Sequence, residues 1–461
     1  MIISCLMHGH EFRHEMQVIT QIFFAHAKYV FCRELPAEGY AAVGSLLDKP
    51  GTCCVAELYL NGQCLASFSL DIVEPGVKAA KRTSILALFY AIKQATGQEP
   101  PWGALSGVRP SKQVRLWLEE GDTESLIQER LSKIYHCRED KIQLAIEVAR
   151  AEARLISRQK TGLCLYVGIP FCPSRCLYCS FVTFQKPGPD VHRRYLKALA
   201  KEYQIIAAGN HTINAVYIGG GTPTALSEAD LAVLLEMLGD FSGIEFTVEA
   251  GRPDSITKEK LTLLKEHGVN RIAINPQSLN DETLQRIGRA HTAMDFYKSY
   301  EMAQQLGFDN INSDVIVGLP GEGPKDVWRT MEGLKTLAPA HITVHTMAVK
   351  RASRLNEYRH DYPEGDLAAV DEMLTIAREA CQELGLAPYY MYRQKNMIGN
   401  FENVGYSLPD YECFYNIAMM AETQTVLAIG AGAVTKTING TLITRDFKPK
   451  DVETYIQRMG L

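Results

Sequence analysis

The chain has 461 residues, 46% apolar and 22% charged, an ordinary globular composition long enough for two or three domains with proper cores. Its 48 Lys and Arg stand against 53 Asp and Glu, so no broad positive field argues for a nucleic-acid partner. No stretch approaches the roughly 20 uninterrupted apolar residues of a membrane span, and the early run VITQIFFA lacks the flanks of a secretory signal; a cytoplasmic location is expected.

Residues 1–160 read as an accessory α+β domain. A mixed stretch around ELYLNGQCLASFSLDI precedes helices from KRTSILALFYAIKQATG to the charged CREDKIQLAIEVARAEARLISRQK. Covering the rest of the fold, receiving a redox partner and binding nucleic acid all stay open for this domain, because its basic patch SGVRPSK is too short to choose among them.

Over residues 161–364, short β-branched or aromatic runs alternate with stretches of helical period. Strands are expected at CLYVGI, AVYIGG, EFTVEA, RIAINP, SDVIVGL and HITVHTMAV, and helices at VHRRYLKALAKEYQIIA, EADLAVLLEMLG, KEKLTLLKEHG and MDFYKSYEMAQQLG. Six βα units in succession imply a parallel sheet, either open and doubly wound or a whole or partial barrel. In either architecture the chemistry sits at the carboxyl ends of the strands. Residues 365–461 add the helix DLAAVDEMLTIAREACQELG, the aromatic-rich YYMYRQKNMIGNFENVGYS and the turn AIGAGAVTK.

Twelve cysteines in such a chain read as free thiols or metal ligands rather than a disulfide framework. Most are scattered and fit small buried hydrophobes. Cys172, Cys176 and Cys179 are different: they have the spacing C-x3-C-x2-C and lie in a loop bounded by Pro170 and Pro173, just after the first expected strand. Such a loop can aim three thiolates at one cuboidal iron–sulfur cluster. Zinc is the rival, but a structural zinc site wants four ligands and no fourth stands nearby at finger-like spacing.

Further polar or glycine positions fall at successive strand ends. YIGGGTPT places Gly219, Gly220 and Gly221 in a turn whose backbone can approach a ligand. TVEAGRPDSI brings Glu249 to the third strand end, INPQSLN brings Gln277 to the fourth and SDVIVGLPGE brings Asp314 to the fifth. Together they make a polar rim around one mouth.

With Tyr178 as its aromatic, C-x3-C-x-aromatic-C resembles the signature of the radical S-adenosylmethionine enzymes, and its place after the first strand resembles that of their partial (β/α)6 barrel. YVGIPFC, GGGTPT, IGRAHT and DVIVGLPGE are similar to the branch of oxygen-independent coproporphyrinogen III oxidases and their heme-chaperone relatives. YYMYRQKNMIGNFENVGY and AIGAGAV look like the HemZ-type coproporphyrinogen dehydrogenases of that branch.

The resemblance implies an α/β fold: a partial (β/α)6 barrel over 161–364 with an N-terminal α+β domain and a coproporphyrinogen-oxidase-like extension over 365–461. It implies one [4Fe–4S] cluster on Cys172, Cys176 and Cys179, and one or two molecules of S-adenosylmethionine. Tyr166 and Tyr178 would neighbour that cofactor, with Gly220, Gly221 and Thr222 on its methionine part. Glu249, Gln277, Arg289, Asp314, Ala348 and Val434 would be further cofactor positions. Tyr166 and Arg289 are the implied catalytic positions; the planar fork of Arg289 suits a carboxylate.

The implied reaction is decarboxylation of coproporphyrinogen III propionates to vinyl groups by a 5′-deoxyadenosyl radical, giving protoporphyrinogen IX in heme biosynthesis. The implied partners are the tetrapyrrole and a one-electron donor such as flavodoxin or ferredoxin. Propionates want cations, and Lys350, Arg351, Arg354, Arg393 and Lys395 are candidates, with Tyr389, Tyr390, Tyr392 and Tyr406 as candidate pocket aromatics. Two departures stand out. Ser180-Phe181 replaces a further cysteine of the oxidases, and Tyr415-Asn416 replaces a His-Asn pair of the chaperones. Heme carriage and radical chemistry on another substrate therefore stay open beside decarboxylation.

Overall fold

The computed structural model describes residues 1–24, 27–46, 53–73, 76–107, 109–158, 161–181, 184–185, 188–349, 353–357, 366–394, 397–440 and 442–461. The chain divides into a first unit, Met1–Ile146 with Arg393–Phe401, and a second, Glu147–Tyr392 with Glu402–Leu461.

The first unit runs β1 (Ile2–His8), α1 (Arg13–Phe23), β2 (Lys28–Phe31), β3 (Tyr40–Leu46), β4 (Cys53–Leu60), β5 (Gln63–Asp71), α2 (Val77–Thr96), α3 (Pro110–Glu119), α4 (Glu124–Glu129) and the start of α5 (Glu139–Arg158). Its sheet has the order β2-β1-β3-β4-β5, with β1 parallel to both neighbours and β3, β4 and β5 antiparallel. Asn61 and Gly62, at φ 51° and 75°, make the tight turn between β4 and β5 that two successive positive φ values permit. Alternation along β4 sends Cys54, Ala56 and Leu58 inward. There they meet Ile19 and Phe23 of α1 and Leu88, Phe89 and Ile92 of α2.

The second unit contains β6 (Leu163–Ile169), the short β7 (Phe171–Cys172) and β8 (Phe184–Gln185), α6 (Pro189–Ala207), β9 (Ile213–Gly220), α7 (Glu228–Leu238), β10 (Glu245–Glu249), α8 (Lys258–Glu266), β11 (Arg271–Ala273), α9 (Asp281–Arg286), α10 (Ala293–Gln305), β12 (Ile311–Val317), α11 (Pro324–Lys335) and β13 (His341–Thr346). After these come α12 (Arg354–Glu357), α13 (Leu367–Glu383), β14 (Ala387–Tyr392), β15 (Asn403–Ser407), α14 (Phe414–Ala421), β16 (Val426–Ile429), β17 (Val434–Asn439), β18 (Leu442–Phe447) and α15 (Val452–Arg458).

β6 reads as a nearly continuous apolar run because it is covered on both faces, as parallel strands are. The helices begin where their caps say they should: Ser227 caps α7, Thr257 caps α8, and Thr292 with Asp295 forms a capping box on α10.

The six expected βα strands pair in parallel and in chain order, β6-β9-β10-β11-β12-β13. Every crossover therefore advances in one direction, the winding of a barrel; a doubly wound sheet reverses direction part-way. The ladder stays open among the described residues, since β6 is flanked by β16 in parallel and β13 by β15 antiparallel. β11 is shorter than RIAINP suggested: regular pairing breaks after Ala273, and the chain stays tied to β12 through Ile274 N to Asn312 O at 2.9 Å and an isolated bridge between Gln277 and Val315.

α5 spans the division at 146–147, and β14 to β18, which follow residue 364, lie in the same sheet as β6 and β9 to β13. No helix among the described residues is long and apolar enough to cross a membrane.

Candidate active site

β6 ends at Ile169, and the chain turns at Pro170 into the cysteine loop. Backbone ties hold that loop to the turn between α9 and α10: Leu177 N donates to Ile287 O at 2.9 Å, and Ser174 Oγ to Gly288 O at 3.2 Å. Cys176 is buried, and Arg252 Nη1 donates to its Sγ at 3.5 Å. The guanidinium is itself fixed by two 2.8 Å bonds to Asp254 and one of 3.0 Å to Ser174 Oγ. Burial alone would raise Asp254; its bidentate pairing with Arg252 outweighs this and holds the carboxyl low. Cys172 Sγ lies 3.4 Å from Thr222 Oγ1. Burial pushes the Cys172 thiol up to about 11, Thr222 opposes the rise, and Cys179 and Cys176 add to it.

Beside the cysteines the glycine turn after β9 is tightly seated. Gly221 N donates to Ile169 O at 2.8 Å and Thr222 N to Phe171 O at 2.7 Å. A Cβ on Gly221 would stand 2.6 Å from Phe171 O and 2.9 Å from Ile169 O, so only glycine brings this backbone so close. Gly220 sits at φ 107°, a region other residues avoid.

The next strand ends contribute a hydrogen-bonded set. Asp314 accepts from Asn275 Nδ2 at 2.9 Å and Asn312 Nδ2 at 2.8 Å, and its Oδ2 lies 3.6 Å from His345 Nε2. Burial would raise Asp314, but His345 first, then Asn312 and Thr343, outweigh it and hold the carboxyl low. Glu249 accepts from Tyr217 OH at 2.7 Å. Its pKa is raised to about 7, first by burial and, against the Tyr217 bond, by the charge on Asp314. One carboxyl thus stays ionised while its neighbour titrates near neutrality.

Gln277 is buried at φ 65°, left-handed backbone that a non-glycine residue adopts at a cost of about 1–3 kcal/mol. Among the described residues its Oε1 has no hydrogen-bond partner, and neither has the Nε of buried Arg289. The other Arg289 nitrogens donate to Gly251 O at 3.0 Å and Asn275 O at 3.4 Å. His291, next but one, is pushed down to about 4 by burial and by Arg289 and stays neutral.

Tyr166 stacks near Tyr217 and Tyr415 at 6.3 and 6.2 Å, and the latter two stack at 4.4 Å. Burial, then the Glu249 charge, raises the Tyr166 phenol; burial likewise raises Tyr178. The turn between β16 and β17 comes to the first strand end, where a Cβ on Gly168 would meet Ile429 O at 3.4 Å and Ala431 O at 3.6 Å. Val434 opens β17 just after it, and half-buried Ala348 follows β13.

The remaining sequence candidates divide. Leu355 N donates to Leu177 O at 2.9 Å, so exposed Arg354 adjoins the cysteine loop. Lys350, Arg351 and Lys395 lie outside the described residues. Arg393, in the segment between β14 and β15, falls in the first unit, where it donates to Leu105 O at 2.8 Å. Tyr389 and Tyr390 pack in the core with Cys413, Phe414 and Tyr415. Tyr390 and Tyr392 stack at 6.4 Å on β14, and Tyr406 is buried on β15.

The sequence reading missed Arg252, Asn275, His345 and Tyr217. Period-two alternation toward the strand ends is the signal that marks His345 and Tyr217; nothing local marks the other two.

Among the described residues, no three His, Cys, Asp or Glu side chains group tightly enough to hold a single metal ion. A cuboidal cluster takes its thiolates on different corners, farther apart than ligands of one ion, and the three cysteines share one short loop that offers three ligands where structural zinc takes four. The cradle at Gly221 and the orphaned atoms of Gln277 and Arg289 fit a polar cofactor beside it.

Comparison with known proteins accords with this geometry. Residues 166–334 match the family described as the Radical SAM superfamily. The chain is 36% identical, over 98% of its own length and 94% of the relative's, to the oxygen-independent coproporphyrinogen-III oxidase-like protein HemZ of Bacillus subtilis. This chain belongs to the radical SAM superfamily, in its HemZ-like branch. Membership implies a [4Fe–4S] cluster and S-adenosylmethionine. The heme chaperone HemW of Bacillus subtilis is 38% identical over 40% of this chain and half of its own. Among solved structures, coproporphyrinogen III oxidase HemN from Escherichia coli matches with a TM-score of 0.54 and 21% identity, covering 68% of this chain and 72% of its own. That likeness is one of fold.

Proposed function

We propose that this radical SAM protein decarboxylates propionate side chains of a coproporphyrinogen-type tetrapyrrole to vinyl groups without oxygen. The observation that carries the reading is the convergence at one barrel mouth of the cysteine loop, the glycine cradle and the orphaned Gln277 and Arg289 atoms. Near full-length identity to HemZ supports the substrate class.

In this reading Cys172, Cys176 and Cys179 hold the cluster, and the Arg252–Asp254 clamp steadies the Cys176 corner. The backbone of Gly220 and Gly221, with Thr222, receives the methionine part of S-adenosylmethionine, and Arg289 and Gln277 supply their unused polar atoms to it. Glu249, Asp314, Ala348, Val434, Tyr166 and Tyr178 complete its surroundings. When bound, cluster and cofactor supply a deoxyadenosyl radical that removes one hydrogen atom from a propionate.

Loss of carbon dioxide and of one further electron to an acceptor then leaves the vinyl group, so each round removes a hydrogen atom and an electron. The chain's own contribution is to keep water from the mouth and to hold Asp314 ionised and Glu249 at the edge of protonation. Arg354, beside the cysteine loop, is the described cation best placed to meet a propionate.

Heme carriage is the second reading, favoured by the identity to HemW. The separating experiment is anaerobic reconstitution with iron and sulfide, then reductant, S-adenosylmethionine and coproporphyrinogen III, with deoxyadenosine and protoporphyrinogen quantified together. Both rising supports the decarboxylase. Deoxyadenosine alone points to another substrate, and neither, with stoichiometric heme binding, points to the chaperone.

A further inference from the structure

Arg252 lies just past the end of β10 and is only 4% exposed. A guanidinium carries five N–H donors in one plane, and here each of the five has an acceptor. Nε and Nη2 donate to the two oxygens of Asp254, both at 2.8 Å. Nη2 also donates to Ser174 Oγ at 3.0 Å, and Nη1 to Ser174 O at 3.4 Å. The remaining Nη1 donor reaches Cys176 Sγ at 3.5 Å.

The backbone that carries this side chain is braced as well. Pro253–Ser255 forms a single 3-10 turn, in which Ser255 N and Oγ donate to Arg252 O at 2.9 and 2.7 Å. Ser255 Oγ lies 2.7 Å from Thr224 Oγ1 in the turn after β9. Lys260 Nζ, on α8, donates to Thr224 O at 2.7 Å and to Ser255 O at 3.1 Å. A long side chain with much rotamer entropy to lose is therefore held to one geometry by the protein itself.

The bonds to Asp254 and Ser174 are enough to tie the loop down. The donor aimed at sulfur adds little to such a tie, since a neutral thiol is a weak acceptor; to a thiolate it is a charge-assisted bond. The cysteines are also treated differently, for Cys172 Sγ meets the Thr222 hydroxyl at 3.4 Å while Cys176 Sγ meets a buried cation.

We propose that Arg252 tunes the redox potential of the cluster: through the Cys176 sulfur it stabilises the reduced state and so raises the potential. The inference rests on the assignment of the cluster to Cys176. Reduction brings one electron from a one-electron donor and no proton, and it makes the cluster with its thiolates more negative. A cation and an N–H donor at one of the sulfurs favour that state over the oxidised one, since hydrogen bonds to sulfur, local charge and burial set such potentials. Asp254, on another edge of the guanidinium, moderates the cation with its own charge.

The test poises the reconstituted full-length protein at a series of potentials under anaerobic conditions, without S-adenosylmethionine, and reads the reduced cluster by electron paramagnetic resonance. Arg252→Met removes cation and donor together. It should make reduction roughly tenfold less favourable, a fall of about 59 mV in the midpoint for one electron. Asp254→Asn leaves the guanidinium on Ser174 and removes the anion beside it, so the midpoint should rise. A group that merely tied the loop would loosen it in both variants and would not move the two midpoints in opposite directions. Iron and sulfide content and the melting temperature report that each variant is loaded and folded.

An unchanged midpoint in loaded Arg252→Met, or shifts of one sign in both variants, would overturn the inference. Should Arg252→Met take up no cluster, Asp254→Asn decides alone: a rise supports the tuning role, and a fall or no change removes it. A wild type without the cluster signal sinks the cluster and this inference together. Failure to form protoporphyrinogen removes the decarboxylase and leaves the midpoints standing, whereas flat midpoints remove the tuning role and leave turnover standing.

Discussion

At the barrel mouth Asp314, Asn275, Asn312 and His345 hold one another, and the glycine turn leaves no room for a side chain. The Cys176 corner of the same mouth has instead a charged guanidinium that Asp254 and Ser174 hold against the sulfur. The first arrangement recognises by fixed backbone and buried bonds, and the second acts by its charge. One atom misplaced in a fixed arrangement is felt at once, whereas the pull of a charge falls off slowly with distance. The two regions should therefore respond to mutation with different steepness.

The largest effect belongs to the cysteines. Cys176→Ala should abolish iron–sulfur absorbance and all deoxyadenosine formation while the melting temperature shifts only slightly; cleavage of S-adenosylmethionine by that variant would sink the cluster assignment. Gly221→Ala comes next, because its Cβ would meet two backbone oxygens at 2.6 and 2.9 Å. Relieving that overlap costs about 1–3 kcal/mol, and the cofactor's dissociation constant should rise roughly tenfold to a hundredfold, measured by calorimetry. An unchanged constant would mean that the cofactor does not use this turn.

Arginines allow a like-for-like contrast. Arg289→Ala removes bonds to two carbonyls, Gly251 O and Asn275 O, as well as the unused Nε, and should weaken cofactor binding by roughly tenfold while cluster assembly persists. Arg252→Lys keeps the cation beside Cys176 but loses the planar fork, and should lower the cluster's midpoint by only a fraction of the fall in Arg252→Met. A fall as large in both would mean that the fork and not the charge acts there, and would dissolve the distinction between the two regions.

The same contrast explains what the sequence made legible. The three cysteines lie within eight residues and the glycines are consecutive, so their chemistry is written locally; the six βα periods likewise announce the parallel sheet. The polar rim was legible residue by residue, since strand ends in such a sheet converge. Contacts made by chain reversal were not. Arg252 reaches Cys176 across 76 positions of chain, and Tyr415 completes the stack on Tyr166 and Tyr217 only because α14 folds back on the barrel. That Arg393–Phe401 joins the first unit was illegible for the same reason, since no local pattern between β14 and β15 says so.

The smallest effect tests how the mouth sets its charges. Glu249 has its pKa raised from 4.5 to about 7, by burial first and then by the charge on Asp314. A raised acid favours the folded state only while it is protonated. Its contribution is therefore most favourable below 4.5, declines as pH climbs from there to about 7, and is flat above that. Asp314, held low, has the opposite sign: its stabilisation is present above its ordinary value of 3.8 and is lost as pH falls below that. Glu249→Gln should shrink the decline between 4.5 and about 7 in melts of the cofactor-free protein and raise stability near neutrality, leaving the share of Glu322, which burial likewise raises from 4.5 to about 7. Asp314→Asn should bring the midpoint of the decline down, because the charge that helps hold the proton on Glu249 is gone. A decline of undiminished size in Glu249→Gln would assign the whole titration to other groups, Glu322 first among them, and leave the two carboxyls of the mouth uncoupled.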